Sequence, residues 1–491
     1  MAQATITLYP SRRIATIQPN LYGHFIEHLG ECVYGGIWVG EGSPIANTDG
    51  IRNDVVQLLR RMRPPVVRWP GGCFADDYHW EHGIGPRAQR RRTVNLHWGE
   101  TVETNAFGTH EFLRFCELLG AAPYICGNVG SGSPRELRDW VEYCNFAGDS
   151  TLAQQRAANG HPEPFRVRFW GVGNENWGCG GNLTPEEYAT EYRRFATYLR
   201  SFSGTPLTLI ACGPSGNDPH WTRRFFTKLG GFPNLQCFAA HYYCGTAGTA
   251  TNYTVDQWYQ LLEQAARMEP LIVQQRAILD GFDPQRRIGL IVDEWGTWHP
   301  PAEERNRPLH WQQNTIRDAL VAALTLDTFN RHADKVVMGN IAQMLNVLQA
   351  VVLTEEDRAL VTPTGHVYTI YAPHQGAEAI LADFAAEPIS YAGGGQLFGL
   401  AGSASLRDDR LFLTAVNPHA SEPVEARLRL VDGAEARGGE MTTLAADDIH
   451  AHNTFEAPET VKPATRPLNV SGRELTVTLP PASVNALSLV L

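Results

Sequence analysis

The sequence predicts an α/β protein, a (β/α)8 TIM barrel with a C-terminal antiparallel β-sandwich domain. Over the first two thirds of the chain, eight short apolar runs alternate with helical patterns. After about residue 375 the pattern becomes an alternation of apolar and polar residues, separated by Gly, Pro and Asp turns. Alternating strands and helices indicate a parallel barrel, whereas alternating side-chain polarity is typical of an antiparallel sandwich. A doubly wound open sheet is the alternative for the first part.

The predicted barrel strands are apolar almost throughout, as expected for parallel strands that are buried on both faces. We expect residues 16–374 to form the barrel and residues 375–491 the sandwich, with residues 1–15 as an N-terminal strand that pairs with the sandwich. The eight strands are predicted at residues 20–27, 65–70, 122–128, 168–176, 207–214, 237–243, 288–295 and 335–344.

Helices between these runs carry recognisable start signals. In LTPEEYATEYRRFATYLR, Thr184 is the predicted N-cap, Pro185 takes the first helical position and Glu187 completes a capping box. Ser133 and Pro134 repeat the same arrangement at the start of SPRELRDWVEYCNF. These signals place helices between successive strands, as a (β/α)8 barrel requires.

Composition and charge exclude several classes of function. The chain has 491 residues and a formal net charge of −11, with no long basic run, which argues against a nucleic-acid partner. We find neither a signal-peptide pattern nor an apolar run of membrane-spanning length, and the nine cysteines contain no C-x-x-C pair. We therefore expect a cytoplasmic protein whose cysteines are reduced thiols. The sequence also lacks the glycine-rich motifs of dinucleotide and phosphate sites, so no cofactor is expected.

Polar and aromatic residues recur at the carboxyl ends of the predicted strands, where TIM barrels carry their active sites. Two carboxylates stand out, Glu175 in WGVGNENWGCGG and Glu294 in IGLIVDEWGTWH, which end the fourth and seventh strands and lie 119 residues apart. Facing carboxylates of this kind perform glycoside hydrolysis, one as proton donor and one as nucleophile. The full set of strand-end residues is Glu27, Arg68, Trp69, Asn128, Asn174, Glu175, His241, Tyr243, Asp293, Glu294, Trp295 and Gln343.

The segment YGHFIEHLGE contains His24, Glu27 and His28 in the H-x-x-E-H order of some zinc peptidases. That reading requires a helix, but the surrounding β-forming residues and glycines favour a strand followed by a loop. On a strand the two histidines would lie roughly 13 Å apart, too far for one zinc ion. We therefore expect no metal here, and of the three only Glu27 to be functional.

Several motifs together resemble glycoside hydrolase family 51, whose principal members are intracellular α-L-arabinofuranosidases. The motifs are GVGNENWG, VDEWGTW, GHFIEH, RWPGGCFAD, HYY, NIAQMLNVLQAVV and HAHNTF, and they span the whole chain. The resemblance implies a retaining (β/α)8 glycosidase in which Glu175 is the acid/base and Glu294 the nucleophile. It also implies a homo-oligomer, a hexamer.

The same resemblance implies a set of sugar-binding residues. Asn174 would lie beside the 2-hydroxyl, and Glu27 and Cys73 would line the furanose pocket. Tyr243 would contact the nucleophile and ring oxygen, Gln349 would hold the exocyclic hydroxymethyl group, and Trp298 would form a wall near the leaving group. The segment AQMLNVLQA also offers Gln343 for the role of Gln349.

We therefore expect a retaining, exo-acting α-L-arabinofuranosidase that releases terminal non-reducing residues from arabinan or arabinoxylan oligosaccharides. An endo-acting retaining glycosidase of the same clan, of the glucanase or xylanase type, is the alternative. A non-catalytic carbohydrate-binding protein has no need of two opposed acids. Metal analysis would decide the zinc peptidase reading.

Overall fold

The chain begins with a long strand, β1 (Ala2–Thr16), that lies in a C-terminal sheet and not in the barrel. It runs antiparallel to β16 (Glu378–Ala386) and parallel to β21 (Val424–Leu430). The inward side chains of β1 alternate in the order Ala4, Ile6 and Leu8, all of which are buried, so one face of the strand packs into a core. This computed structural model describes residues 1–245, 247–300, 309–393 and 395–491.

Within the described residues, eight strands close into a parallel barrel, which confirms the predicted fold class. Each strand falls inside or overlaps one of the eight predicted runs, and the strands follow one another around the barrel in chain order. They are β2 (Gly23–Phe25), β5 (Val66–Trp69), β8 (Ala122–Gly127), β9 (Phe169–Val172), β10 (Thr208–Ala211), β11 (Cys237–Cys244), β12 (Gly289–Thr297) and β13 (Val336–Ala342).

Ten α-helices lie in the described part of the chain: α1 (Asn53–Met62), α2 (Thr109–Leu119), α3 (Pro134–Asn145), α4 (Thr151–Ala158), α5 (Pro185–Ala196), α6 (Pro219–Leu229), α7 (Val255–Ala266), α8 (Met268–Phe282), α9 (Ile316–Arg331) and α10 (Pro363–Tyr371). The predicted caps are confirmed. The Thr184 hydroxyl accepts a bond from the Glu187 amide while the Glu187 carboxylate accepts from Thr184 N, and Ser133 caps α3 through the Glu136 amide. No helix of these described segments is long and apolar enough to cross a membrane.

Nine strands of the described chain form the C-terminal sheet, in the order β23-β22-β25-β20-β19-β16-β1-β21-β24. Apart from the β1–β21 pair, its neighbours run antiparallel, and buried side chains from all of its strands share one apolar core. Its further strands are β19 (Ala401–Arg407), β20 (Arg410–Asn417), β22 (Gly438–Leu444), β23 (Ala464–Leu468), β24 (Glu474–Leu479) and β25 (Ser483–Val490).

The described segments also contain four two-stranded sheets between these elements: β3 (Asn47–Thr48) with β4 (Ile51–Arg52), β6 (Thr93–Asn95) with β7 (Thr101–Glu103), β14 (Val352–Glu355) with β15 (Arg358–Val361), and β17 (Ile389–Ser390) with β18 (Gln396–Leu397).

Helix α9 joins the barrel to the sheet. Almost every residue along it is buried, because one face packs on the barrel and another on the C-terminal sheet. Its Asp327 carboxylate accepts hydrogen bonds from the Tyr371 hydroxyl at 3.0 Å and the Ser403 hydroxyl at 2.6 Å. The Asn330 amide donates to the same serine at 3.0 Å. Buried polar bonds of this kind fix the orientation of one unit on the other, since an unpaired partner would remain desolvated.

Candidate active site

Glu175 and Glu294 face each other at the carboxyl end of the barrel. Glu175 lies just after β9 and Glu294 lies in β12, with two barrel strands between them. One carboxylate oxygen of each residue and a nitrogen of His241 all lie within 4.8 Å of one another. A retaining glycosidase holds its two carboxyl groups about 5–5.5 Å apart, whereas an inverting one needs roughly 6.5–9.5 Å to admit a water molecule. The observed spacing fits the retaining geometry.

The backbone of the loop after β9 presents Glu175 in an unusual conformation. Its φ angle is 41°, in the left-handed region that residues with a Cβ rarely adopt. The amides of Gly178 and Gly180 donate to the Glu175 carbonyl at 2.7 and 3.1 Å and close a tight turn behind it. A Cβ at Gly180 would lie 2.0 Å from the Asn174 carbonyl, so glycine is required there. Such strained residues persist where the surrounding structure over-determines them, often at active sites.

Glu294 is surrounded by hydrogen-bond donors. Arg68 Nη1 donates to its Oε1 at 2.7 Å and the Tyr243 hydroxyl donates to its Oε2 at 2.9 Å. Burial raises the pKa of Glu294, as does the charge of Glu175, while His241 and Arg68 oppose the rise. Burial, together with the charges of Glu294 and Glu175, raises the pKa of Tyr243 well above its usual value, so its phenol keeps the proton that it donates.

His241 links both carboxylates to a third acid. Its Nδ1 lies 2.8 Å from Glu175 Oε1 and 3.4 Å from Glu294 Oε2, and its Nε2 lies 2.9 Å from Asp293 Oδ1. Burial alone would lower the pKa of His241, but the charges of Glu294 and Asp293 outweigh it and raise the pKa to about 10. The imidazole is therefore a cation at neutral pH. Asp293 stays ionised, since Arg68 and His241 overcome the effect of burial and lower its pKa to about 2.

A β-bulge explains why two consecutive acids both reach His241. The pairing of β11 with β12 passes from Ala240 opposite Val292 to His241 opposite Glu294, so Asp293 is an extra residue on β12. In a regular strand adjacent side chains point to opposite faces. The extra residue of a bulge changes the direction of the side chains beside it, and bulges are frequent next to active sites.

Asp76 fixes the loop that carries the acid/base candidate. It lies in the short 3-10 turn Cys73–Asp77 after β5, and its Oδ2 accepts a hydrogen bond from the Asn174 amide at 2.9 Å. Its Oδ1 accepts from the amides of Val129 and Gly130 at 2.8 and 2.9 Å. Burial raises the pKa of Asp76 to about 7, although these three amides oppose the rise. Three strand-end loops therefore meet at one carboxylate.

Glu27 forms another corner of the site. Its Oε1 accepts from the Phe74 amide at 3.0 Å and the Trp98 indole at 2.9 Å, and its Oε2 accepts from Gln343 Nε2 at 3.1 Å. Burial and the charge of Glu294 raise its pKa to about 7. At Gly72, where φ is 28°, a Cβ would lie 2.4 Å from Glu27 Oε1, so this glycine leaves room for the carboxylate.

Aromatic rings line the side of the site between Glu27 and Glu294. The Trp298 ring packs edge-on against Tyr243 at 5.1 Å and against His310 at 4.9 Å, and His310 in turn contacts Trp98 at 5.4 Å between ring centroids. Aromatic faces of this kind offer apolar surface to the carbon-bound hydrogens of a sugar.

The prediction of reduced thiols is wrong for two of the nine cysteines, because Cys73 and Cys179 form a disulfide. They lie 106 residues apart in the chain, in the loops after β5 and β9. Cysteine spacing could not predict this pair, since only closure of the barrel brings the two loops together. The remaining seven cysteines are buried free thiols.

The two glutamines offered by AQMLNVLQA have different surroundings. Gln343 Nε2 donates to Glu27, and its Oε1 is buried without a hydrogen-bond partner. Gln349 is fully buried, with its Oε1 accepting from the Thr297 amide at 2.9 Å and its Nε2 donating to the Asp318 carbonyl at 2.6 Å. The structure therefore places the Gln343 amide beside Glu27. The Gln349 amide instead bonds to backbone atoms of Thr297 and Asp318.

His24 and His28 lie in separate environments. His24 is within β2, where its ring contacts Tyr368 at 4.6 Å and burial lowers its pKa to about 3. His28 Nδ1 contacts Glu103 Oε2 at 2.8 Å, and its Nε2 accepts from the Trp69 indole at 3.0 Å. The segment is a strand and loop rather than a helix. The His24 ring packs against Tyr368, whereas both nitrogens of His28 have hydrogen-bond partners.

Four residues of this constellation were not among the predicted site residues: Arg68, Asp76, His241 and Asp293. Three of them were visible as strand-end residues, and Arg68 carried the further signal of a charge within the apolar run PVVRWP. Its Nη2 donates to Asn174 Oδ1 at 2.5 Å while its Nη1 donates to Glu294, so one guanidinium contacts both groups. Asp76 gave no sequence signal beyond its place as the last residue of RWPGGCFAD.

Among the described residues, two groups could hold a metal ion. One comprises Glu175, His241 and Glu294, and the other comprises Cys73, Glu175 and Cys179. In the first, the charges of Glu294 and Asp293 raise the pKa of the His241 imidazole to about 10, which favours the protonated form that cannot act as a ligand. In the second, the two sulfurs are joined to each other. The site therefore presents two carboxylates, Glu175 and Glu294, with hydrogen-bond donors directed at them.

Comparison with known proteins identifies similarity over the whole chain. Two family models match, the Alpha-L-arabinofuranosidase 1 domain over residues 58–260 and the Alpha-L-arabinofuranosidase C-terminal domain over residues 293–483. An intracellular exo-alpha-L-arabinofuranosidase of Bacteroides ovatus is 40% identical over 99% of this chain and 95% of its own length.

Solved structures give the same result. The GH51 arabinofuranosidase of Xanthomonas axonopodis pv. citri is 40% identical with a TM-score of 0.96, and the match covers 100% of both chains. The alpha-L-arabinofuranosidase of Thermotoga maritima in an arabinose complex is 30% identical with a TM-score of 0.89, again over 100% of both.

Proposed function

This chain belongs to glycoside hydrolase family 51, and from that membership we propose how its residues divide the work of hydrolysis. It is a retaining α-L-arabinofuranosidase. It removes α-L-arabinofuranosyl residues from non-reducing ends. The Bacteroides relative is named as an exo-acting enzyme, which supports this mode. Neither the comparisons nor the geometry gives support to an endo-acting glucanase or xylanase.

In the first step, Glu175 protonates the glycosidic oxygen while Glu294 attacks the anomeric carbon and forms a covalent arabinosyl-enzyme. In the second step, Glu175 takes a proton from the water that releases arabinose and is again protonated. The closeness of the two carboxylates, within 4.8 Å, is the observation that carries this proposal.

The donors around each acid support the division of roles. Glu294 receives Arg68 at 2.7 Å and Tyr243 at 2.9 Å in addition to His241. Glu175 contacts His241 and the sulfurs of the disulfide. Hydrogen bonds and positive charge favour the ionised form of a carboxyl group. The bonds from Arg68 and Tyr243 therefore favour the ionised form of Glu294, which a nucleophile requires.

We assign the furanose pocket to Glu27, Cys73, Asn174 and Tyr243, with Trp298 as the wall toward the leaving group. Support comes from their shared position at the carboxyl end of the barrel and from the buried, bonded state of Glu27 and Asn174. Gln349 remains assigned to the hydroxymethyl group by resemblance, and the contact of Gln343 with Glu27 adds a second amide to the pocket.

Substrates of this site are arabinofuranosyl oligosaccharides of the arabinan and arabinoxylan type, and we place their hydrolysis in the cytoplasm. The name of the Bacteroides ovatus relative, an intracellular enzyme, supports the location. A homo-oligomer, a hexamer, follows from family resemblance alone. Cell fractionation and light scattering on the purified protein test these two statements.

Leaving-group dependence tests the assignment of the acids. We expect Glu294→Ala to lose turnover of every substrate. We expect Glu175→Ala to retain activity on 4-nitrophenyl α-L-arabinofuranoside, whose leaving group needs little protonation, and to lose activity on arabino-oligosaccharides. Glu117→Ala, a substitution at an exposed carboxylate of α2, is the matched control. Equal losses on both leaving-group types would overturn the roles.

Parallel assays separate the alternatives. Activity on xylan or carboxymethylcellulose without release of arabinose would support the endo-acting alternative. Sugar binding with no hydrolysis of any arabinofuranoside would support a binding protein.

A further inference from the structure

Two sulfur atoms lie beside Oε2 of the acid/base candidate Glu175, whose Oε1 contacts His241. Cys73 Sγ lies 3.8 Å and Cys179 Sγ lies 3.6 Å from Glu175 Oε2. The two cysteines come from different strand-end loops, and both they and Glu175 are partly exposed. The mechanism proposed above uses the carboxylate and makes no chemical use of the sulfur pair.

A cytoplasmic enzyme meets thiols that can reduce an accessible disulfide. A dithiol of that kind breaks the sulfur–sulfur bond by exchange, supplies two electrons and two protons, and ends as its own disulfide. Cys73 and Cys179 are then free thiols on either side of a carboxylate. Two thiolates with a carboxylate form a donor set that suits Zn²⁺ and similar thiophilic cations.

The distances fit a tetrahedral ion. With a Zn–S bond of about 2.3 Å and a Zn–O bond of about 2.0 Å, a tetrahedral site separates sulfur from oxygen by roughly 3.5 Å. The two observed separations, 3.6 and 3.8 Å, match that edge. After reduction the two sulfurs must separate to roughly 3.8 Å, the sulfur–sulfur edge of a tetrahedral site with Zn–S bonds of about 2.3 Å.

The alternative donor set around His241 is less suited to an ion. Its Nδ1 would be the ligand atom, since it lies 2.8 Å from Glu175 Oε1 and 3.4 Å from Glu294 Oε2. An ion there would have to displace the contacts that Nδ1 makes with both carboxylates. The cysteine side requires only the loss of thiol protons, which thiolate coordination ordinarily causes.

We propose that reduction of the Cys73–Cys179 disulfide creates a site in which both thiolates and Glu175 bind one Zn²⁺ or similar thiophilic cation. The fourth position is open to water. Two thiol protons leave as the ion binds. The bound ion inhibits hydrolysis because it occupies the Glu175 carboxylate, a consequence that rests on the acid/base role proposed above.

Metal titration of the full chain in its two redox states tests the site. The protein is reduced with a dithiol, which is then removed by gel filtration under nitrogen. We expect the reduced protein to bind one Zn²⁺ per chain by calorimetry. With Co²⁺ we expect a thiolate-to-metal charge-transfer absorption. The oxidised protein should show neither.

Substitutions locate the ligands. We expect Cys73→Ser and Cys179→Ser each to weaken Zn²⁺ binding by roughly tenfold or more, the loss that removal of even an outer-shell partner causes. Cys237→Ser is the control, because Cys237 begins β11 at the opposite, amino end of the barrel. Metal binding that survives in both ligand variants, or that appears equally in oxidised protein, would overturn the proposal.

Alkylation provides a test that requires no variant to fold. Since the other seven cysteines are buried, iodoacetamide should modify Cys73 and Cys179 in the reduced wild-type protein, and Zn²⁺ should protect both. Absence of that protection would contradict the site.

Activity distinguishes this inference from the proposed function. Thiolate-bound metal with unchanged turnover would leave the metal site standing and refute the role of Glu175. No metal binding, together with the expected leaving-group behaviour of Glu175→Ala, would refute the metal site and leave the mechanism standing.

Discussion

His241→Gln is the most informative single substitution, because it removes one positive charge that lies between three carboxylates. Glutamine can still donate a hydrogen bond from its amide, but it cannot carry the proton that holds the imidazole positive. The histidine Nδ1 is 2.8 Å from Glu175 and 3.4 Å from Glu294. The change therefore tests electrostatics more than packing.

The expected size follows from Coulomb's law. Two unit charges about 4 Å apart interact by about 4 kcal/mol at an effective dielectric constant of 20, and about 1.4 kcal/mol corresponds to one pKa unit. Loss of the imidazolium should therefore raise the apparent pKa of Glu294, which the His241 charge lowers, by roughly one to three units. Because Glu294 must be ionised to attack, the acid limb of kcat/KM should move to higher pH by the same amount.

The measurement is the pH dependence of kcat/KM for 4-nitrophenyl α-L-arabinofuranoside. His82→Gln, in the turn Trp80–Gly83 outside the site, is the matched control. We expect the His241 variant to be weakest at acid pH and to recover as pH rises. A loss of equal size at every pH, with the acid limb unmoved, would refute the electrostatic reasoning and leave His241 a packing residue.

Three further substitutions test the supports of the site. Asp76→Asn replaces the carboxylate that accepts a hydrogen bond from the Asn174 amide. One buried hydrogen bond to a charged group contributes about 1.5–3 kcal/mol, so kcat should fall roughly 10- to 100-fold. Unchanged kcat would show that the loop keeps its position without this bond. For Glu27, burial raises the folded-state pKa to about 7, so its stabilising contribution is present below the unfolded pKa and lost as pH rises through about 7. Glu27→Gln should therefore gain roughly 2 kcal/mol of unfolding free energy relative to wild type between about pH 5 and pH 8, and parallel denaturation curves would contradict that pKa. Gly72→Ala introduces a Cβ 2.4 Å from Glu27 Oε1, so KM should rise roughly tenfold and the melting temperature should fall; unchanged KM would show that Glu27 tolerates displacement.

Short-range patterns were sufficient for most of the architecture. Apolar runs buried on both faces identify barrel strands because both sides of a parallel sheet are covered. The capping box of Thr184 and Glu187 satisfies amides within one turn, so neighbouring letters are enough to predict it. Glu175 and Glu294 were predictable as a candidate pair because each comes at the end of an apolar run, and barrel closure brings the carboxyl ends of the strands to one face.

What surrounds the two acids depended on tertiary structure. The bulge at Asp293, the bridge through His241 and the three amides on Asp76 arise from contacts between loops of different strands. The Cys73–Cys179 bond joins positions 106 residues apart.

The sequence by itself therefore predicted the order of the barrel strands, the helix starts and the candidate acid pair, since each depends on residues that are close together along the chain. Only the tertiary structure decided which groups donate hydrogen bonds to those acids, which groups shift their pKa values and which loops hold them in position. Those groups come from loops that are far apart in the sequence, so their distances from one another depend on how the barrel closes.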